Sequence, residues 1–385
     1  MLRAVLILAF VLVLSVSCGG GGAAERPPVA TPATPAPAGA ARPETTPTPQ
    51  TTAPTTRAPS TPSRPQGEPS ERPRLAIEVP FVSIAVPRLG ILAATMQVAQ
   101  KAELWESASL AVAMVETADT GTALQALQSG RVHLAMVTLE EAAQASQGPN
   151  AVRVIAGLFG SQPYNVVVSS SVAQRIDLRE TSPLEGRLAA LKGLKLGIAS
   201  ERLAEATAAA LVRAAGHAPA DVALVSMARS RLLQALKEGE VDGILASHPE
   251  LEQAIVLQDA RLMINLSRGE VTELEPFPWL VLATTQRMES IAPGTLTAVV
   301  YAVWNAERQV RRDPRRSSDL IAEFYKNLPA PVFEQSTRIY FPAIPNNPLL
   351  TPLSYGKVFR VLGQSPAPFL QAVENKYIEA LIPRQ

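Results

Sequence analysis

The side chains able to do chemistry are few, and their types suit holding a ligand better than transforming one. The 385 residues include one cysteine, Cys18, and three histidines, His133, His217 and His248, far apart in sequence. That excludes a disulfide framework, a CxxC redox pair and a thiolate metal site, and it gives a histidine metal centre no basis. No Gly-x-Ser-x-Gly elbow and no glycine-rich phosphate loop is present. The expectation is therefore no catalytic residue, no metal and no cofactor. What remains is one arginine and a set of hydroxyls and amides where strands give way to helices. Arg88 and Gly90 follow a strand at 82–86, and Thr120, Gly121 and Thr122 open a helix. Thr138 and Ser247 each end a strand, Ser161 sits in the turn Gly160-Ser-Gln-Pro163, and Ser200 takes the matching place further on. A guanidinium, hydroxyls and helix-start amides hold small oxyanions. The plainer alternative is a solvated Arg88 and hydroxyls that only cap helices. Trp279, with Phe159 and Tyr164, could wall a ligand or simply fill the core. His248 reads as an exposed histidine at a helix start.

Those residues need a scaffold, and the pattern supplies one. Short apolar runs alternate with helical spacing from Leu75 onward, which predicts α/β structure with mainly parallel sheets. Strands are expected at 82–86, 110–115, 132–137, 194–198, 222–225, 241–245 and 279–283. Helices are expected at 91–105, 122–128, 204–215 and 231–237. One internal repeat is sharp. Leu124-Gln-Ala-Leu127, Gly130, Val132 and Thr138 recur with identical spacing as Leu233-Gln-Ala-Leu236, Gly239, Val241 and Ser247. Each copy reads as helix, glycine, strand and hydroxyl, and both Thr138-Leu-Glu-Glu141 and Ser247-His-Pro-Glu250 have the form of a capping box. Two similar lobes follow: lobe one at 75–190 and 276–385, lobe two at 191–275. The two chain crossings between them form a hinge over a cleft at the carboxyl ends of the strands, where open α/β sheets place ligands.

The first part of the chain differs in composition. Arg3 precedes an apolar run at 4–14, too short to span a bilayer, and small residues lead to Cys18 and then Gly19 to Gly22. Residues 1–18 resemble a bacterial lipoprotein signal, although Ser15 stands where that signal usually has leucine. The resemblance implies lipidation at Cys18 and a membrane anchor on the extracytoplasmic side, in the cell envelope. Residues 19–74 are dominated by proline and threonine and predict an unstructured tether. Lys+Arg 35 against Asp+Glu 34 leaves a net charge of +1, which excludes a globally basic nucleic-acid binder. The basic run 311–316 reads as a helix end.

Several stretches together resemble a known family. They are Pro87-Arg-Leu-Gly-Ile91 after the first strand, Val98 to Glu106, Gly121 to Gly130, Leu191 to Ile198 and Ala235 to Gly243. The chain is similar to the sulfonate-, taurine- and nitrate-binding proteins of ABC importers, a branch that also contains thiamine-pyrimidine-precursor proteins. The resemblance implies the two-lobed type II periplasmic-binding-protein fold. It also implies a monomer that carries a small ligand, expected to be an anionic organic molecule, to an ABC permease and its ATPase. A ligand sensor that partners a receptor, or an enzyme like the pyrimidine-precursor synthase, are the alternatives. The enzyme depends on a cysteine-rich motif that this body lacks. Glu103 and His133 depart from the family, which usually has glycine and aspartate there.

Overall fold

The computed structural model describes residues 76–382. Cys18, the signal and the Pro/Thr-rich stretch lie outside the described residues. Ten strands form two sheets: β1 (Phe81–Pro87), β2 (Ala111–Thr117), β3 (Leu134–Thr138), β4 (Val152–Phe159), β5 (Asn165–Val168), β6 (Lys195–Ala199), β7 (Ala223–Met227), β8 (Gly243–Ala246), β9 (Arg261–Ile264) and β10 (Leu280–Thr285). The orders are β2-β1-β3-β10-β4 and β7-β6-β8-β5-β9. The two sheets thus share one topology. In the first, β1 pairs in parallel with β2 and β3, and β10 runs antiparallel between β3 and β4. In the second, β6 pairs in parallel with β7 and β8, and β5 runs antiparallel between β8 and β9.

Each antiparallel strand borders a chain crossing. The chain passes from β4 to β5 through residues 160–164 and returns from β9 to β10 through residues 265–279. The crossings bond to one another, with Phe277 N donating to Gly160 O and Trp279 N to Phe159 O, both at 2.9 Å. The second lobe therefore begins at β5, earlier than the boundary at 191 expected from sequence. The run Asn165-Val-Val-Val168 is buried throughout. A short strand covered on both faces carries no alternation by which to recognise it.

Local sequence explains the repeat. The helices Thr120–Gln128 and Leu232–Lys237 are each followed by a glycine, Gly130 at φ +72° and Gly239 at φ +71°. That left-handed geometry costs a side-chain-bearing residue about 1–2 kcal/mol, and it turns each helix back into β3 or β8. The helix Arg202–Ala214 buries Ala204, Ala208 and Leu211, one stripe at helical spacing. The expected helix over 91–105 is broken instead. A 3-10 turn, Gly90–Ala93, precedes Ala94–Lys101, and Glu103 at φ +52° separates that helix from Leu104–Ser107.

C-terminal helices complete the body. Pro293–Arg312 packs on Ala94–Lys101 and β4, while Ala330–Tyr340 touches both the turn Gly90–Ala93 and Glu250–Gln258 of the second lobe. Pro352–Leu362 likewise meets Arg202–Ala214. Asp313 caps a further helix, Pro314–Ile321, and Arg311 donates to Ile344 O at 2.8 Å. Among the described residues, no helix is long and apolar enough to cross a membrane.

Candidate functional site

The parallel strands deliver their carboxyl ends to the space between the lobes. On the first lobe β3 ends at Thr138, whose Oγ1 accepts from Glu141 N at 3.2 Å while Thr138 N donates to Glu141 Oε2 at 3.0 Å. This capping box fixes the start of the helix Leu139–Gln144 and places Glu140 at its rim. On the second lobe β6 leads into Ser200 and Glu201, β7 into Arg229, and β8 into Ser247 and His248.

A cavity of about 180 Å³ lies where these ends meet the crossings. Thr138 and Glu140 line it from one lobe, and Glu201 and Leu203 from the other. Tyr164, Phe277 and Trp279 come from the crossings, and Val358 and Leu362 from the C-terminal helix. Tyr164 Oη donates to Glu201 Oε2 at 2.7 Å. Burial, reinforced by the Glu201 charge, raises the Tyr164 hydroxyl far above its ordinary range, so it stays a donor. Arg229 lies 3.6 Å from Glu201 Oε1 and donates to Glu250 Oε2 at 3.0 Å, Ser247 Oγ at 2.6 Å and His248 O at 2.8 Å. Arg202 reaches across the lobes to Glu140 Oε1 at 2.9 Å. A wider groove of about 690 Å³ borders Asp177, Arg187, Asp259 and Arg338 and runs along the β9 edge of the second sheet, from Ser170 to Asn265. Position selects the smaller cavity, because open α/β sheets bind at the carboxyl ends of their strands. Among the described residues, no three His, Cys, Asp or Glu side chains are grouped to hold a metal ion.

Known proteins place this arrangement. The family described as NMT1/THI5 like matches residues 93–317, more than half of the chain. The chain belongs to the NMT1/THI5-like family. Its fold is that of the periplasmic binding proteins. The periplasmic aliphatic sulphonate binding protein SsuA from Escherichia coli superposes with a TM-score of 0.54 at 18% identity, over 74% of this chain and 86% of that one. The ligand-binding component of an ABC-type import system from Staphylococcus aureus, solved with zinc bound, gives 0.59 at 14% identity over 78% and 98%. A Candida albicans protein described as having the generic periplasmic binding protein fold gives 0.51 at 12% identity over 77% and 97%. No curated protein matches the sequence.

Within this NMT1/THI5-like fold the residues singled out from sequence scatter. Thr138 and Trp279 line the cavity. Gly90 and Ser247 do not line it: the first lies against His248 and the second is bonded to Arg229. Ser247 is not the expected cap, since Arg229 takes its hydroxyl and the helix starts only at Glu250, without a side-chain cap. Arg88 lies outside: its guanidinium is 70% exposed and pairs with Glu116 at 2.5 Å. At the helix Thr120–Gln128, Asp119 caps Thr122 N at 2.7 Å, and Thr120 donates to Glu141 Oε1 at 3.0 Å. With Gly121 beside them, these groups serve helix starts and do not line the cavity. Ser161 borders a shallow hollow with Glu275 and Arg311, and exposed Ser200 bonds Ser226 at 2.8 Å.

His248 also departs from expectation. Its side chain is only 8% exposed, and Nδ1 bonds Glu252 Oε1 at 2.8 Å. The helix Ala330–Tyr340, distant in sequence, covers it. Glu140, Glu201 and Arg229 were not read from sequence. Their one signal is position, a residue or two beyond a strand end.

Proposed function

We propose that this protein is the extracytoplasmic solute-binding component of an ABC importer. It captures a small organic molecule between its lobes and presents it to a permease and its ATPase, from a lipid anchor at Cys18. The observation that carries this reading is the cavity at facing strand ends, walled by both chain crossings. Two crossings permit hinge closure, and a ligand that touches both lobes favours the closed state by its extra contacts there. The Escherichia coli neighbour is named for sulphonates and the Staphylococcus aureus neighbour for ABC-type import, which supports transport as the class. Identity below 20% leaves the ligand to the cavity itself.

The test is calorimetry and small-angle scattering on the full chain with sulfonates, nitrate, nitrogen heterocycles and amines. A true solute binds and draws the lobes together. Binding that leaves the lobe separation unchanged would overturn capture by closure. For the anchor, Cys18→Ala should release folded protein from the membrane fraction, and retention of the variant there would remove the lipid assignment.

A further inference from the structure

The lining of the cavity argues for a ligand of the opposite charge to the one expected. We propose that the solute is a single-ring molecule carrying a positive charge, such as a protonated amine, an inference that rests on the interlobe cavity being the capture site.

Size comes first. The cavity is about 180 Å³, close to the roughly 150 Å³ of an apolar protein cavity that admits benzene. One ring with a short substituent matches that volume. The walls suit a ring as well, because Trp279 presents aromatic surface backed by the buried Tyr164 and Phe277, and Leu203 presents aliphatic surface.

Charge decides the class. Glu140 and Glu201 are the only charged residues among the described lining, which holds no Lys, Arg or His. The nearest guanidinium groups are already committed. Arg202 pairs with Glu140, and Arg229 divides itself among Glu250, Glu201, Ser247 and the His248 carbonyl. Glu141, which anchors the Thr138 cap, adds a carboxylate nearby, and Glu250 adds another on Arg229. The surroundings are thus net negative. An anion would face Glu140 and Glu201, each already sharing a guanidinium, with no Lys, Arg or His on the lining to meet it, which is unfavourable. An ammonium gains a charge-assisted bond to a carboxylate and attraction to aromatic faces.

A matched trio of probes tests this on the full chain at neutral pH by calorimetry: benzylamine, benzyl alcohol and benzenesulfonate share one ring and differ in charge. The expected order is benzylamine tightest, by about tenfold over the alcohol, with the sulfonate weakest. Glu140→Gln should cut the preference for benzylamine over the alcohol several-fold, a ratio that cancels any change both probes share through the lost Arg202 bridge. Trp279→Leu should weaken both. Circular dichroism and melting confirm that each variant is folded, and the probe order in the parent decides the question if one is not. Benzenesulfonate binding tightest, or benzylamine and alcohol binding equally, would overturn the charge while capture between lobes stands. No binding of any probe would overturn the single-ring ligand, and the wider solute screen then judges capture by itself.

Discussion

Gly90 of the first lobe lies directly against the imidazole of His248 of the second. A Cβ built on Gly90 would stand 2.4 Å from His248 Nε2 and 2.6 Å from Cδ2, and Gly90 adopts φ +56°. The ring cannot easily yield, because Glu252 holds Nδ1 at 2.8 Å and Ser336 Oγ lies 3.4 Å from the same atom. Absence of a side chain at one residue is what lets the lobes meet there.

Gly90→Ala should therefore separate the lobes and lower stability. The left-handed backbone alone costs about 1–2 kcal/mol once a Cβ is present, and the clash adds to it. Scattering should show a larger radius of gyration, and urea unfolding a lower midpoint. Adding His248→Ala should restore part of both losses, as coupled neighbours do in a double-mutant cycle. Strictly additive losses would show that the two residues do not oppose each other.

Glu103 offers a gain. It is exposed, sits at φ +52° and ψ +36°, and contributes its backbone carbonyl to Ser107. It also stands where the resemblance leads one to expect glycine, and the backbone angle supplies the physical reason. Glu103→Gly should stabilise the protein by about 0.5–1 kcal/mol, the relief of left-handed strain less the added freedom of the unfolded chain. Urea unfolding measures it, and a loss of stability would mean that the carboxylate has a role that the geometry does not reveal.

Arg229 ties its own turn to the 247–250 stretch through Glu250, Ser247 and the His248 carbonyl, and lies 3.6 Å from Glu201 of a third segment. Arg229→Met should cost about 1–3 kcal/mol, because it strips partners from Glu250 and Ser247. Arg229→Lys should recover little, since one ammonium cannot span what the planar fork reaches. Full recovery by lysine would reduce the arrangement to charge alone.

The alternation of elements and the 124–138 and 233–247 repeat were legible because each depends on local periodicity and on glycines at helix ends. Thr138 was legible for the same reason: its partner Glu141 is three residues away. Arg88 was read inward because nothing local reveals that Glu116, at the end of the neighbouring strand, draws it outward. His248 was read as exposed because its cover, Ser336 and Tyr340, arrives from a helix far along the chain. The Tyr164–Glu201–Arg229 group joins three separate segments, and no spacing in the sequence encodes it.

The hinge carries a titratable group. Glu275 Oε1 accepts from Gln162 N at 3.2 Å, joining one crossing to the other. Burial pushes its carboxyl up to about 7 from an ordinary 4.5, against the pull of hydrogen bonds from Gln162, Ser161 and Phe277 and of the Lys357 charge. A carboxyl raised on folding keeps its proton in the native state after the unfolded chain has lost it. Its contribution is therefore complete below pH 4.5 and is lost as the pH rises through about 7. The size of that loss is about 3 kcal/mol, from a shift of this order. Glu275→Gln keeps an acceptor for Gln162 N but cannot ionise. Urea unfolding at pH 5 and pH 8 should thus show the parent losing more stability than the variant across that interval. Parallel losses in the two proteins would mean that Glu275 ionises in the folded hinge as it does in the unfolded chain.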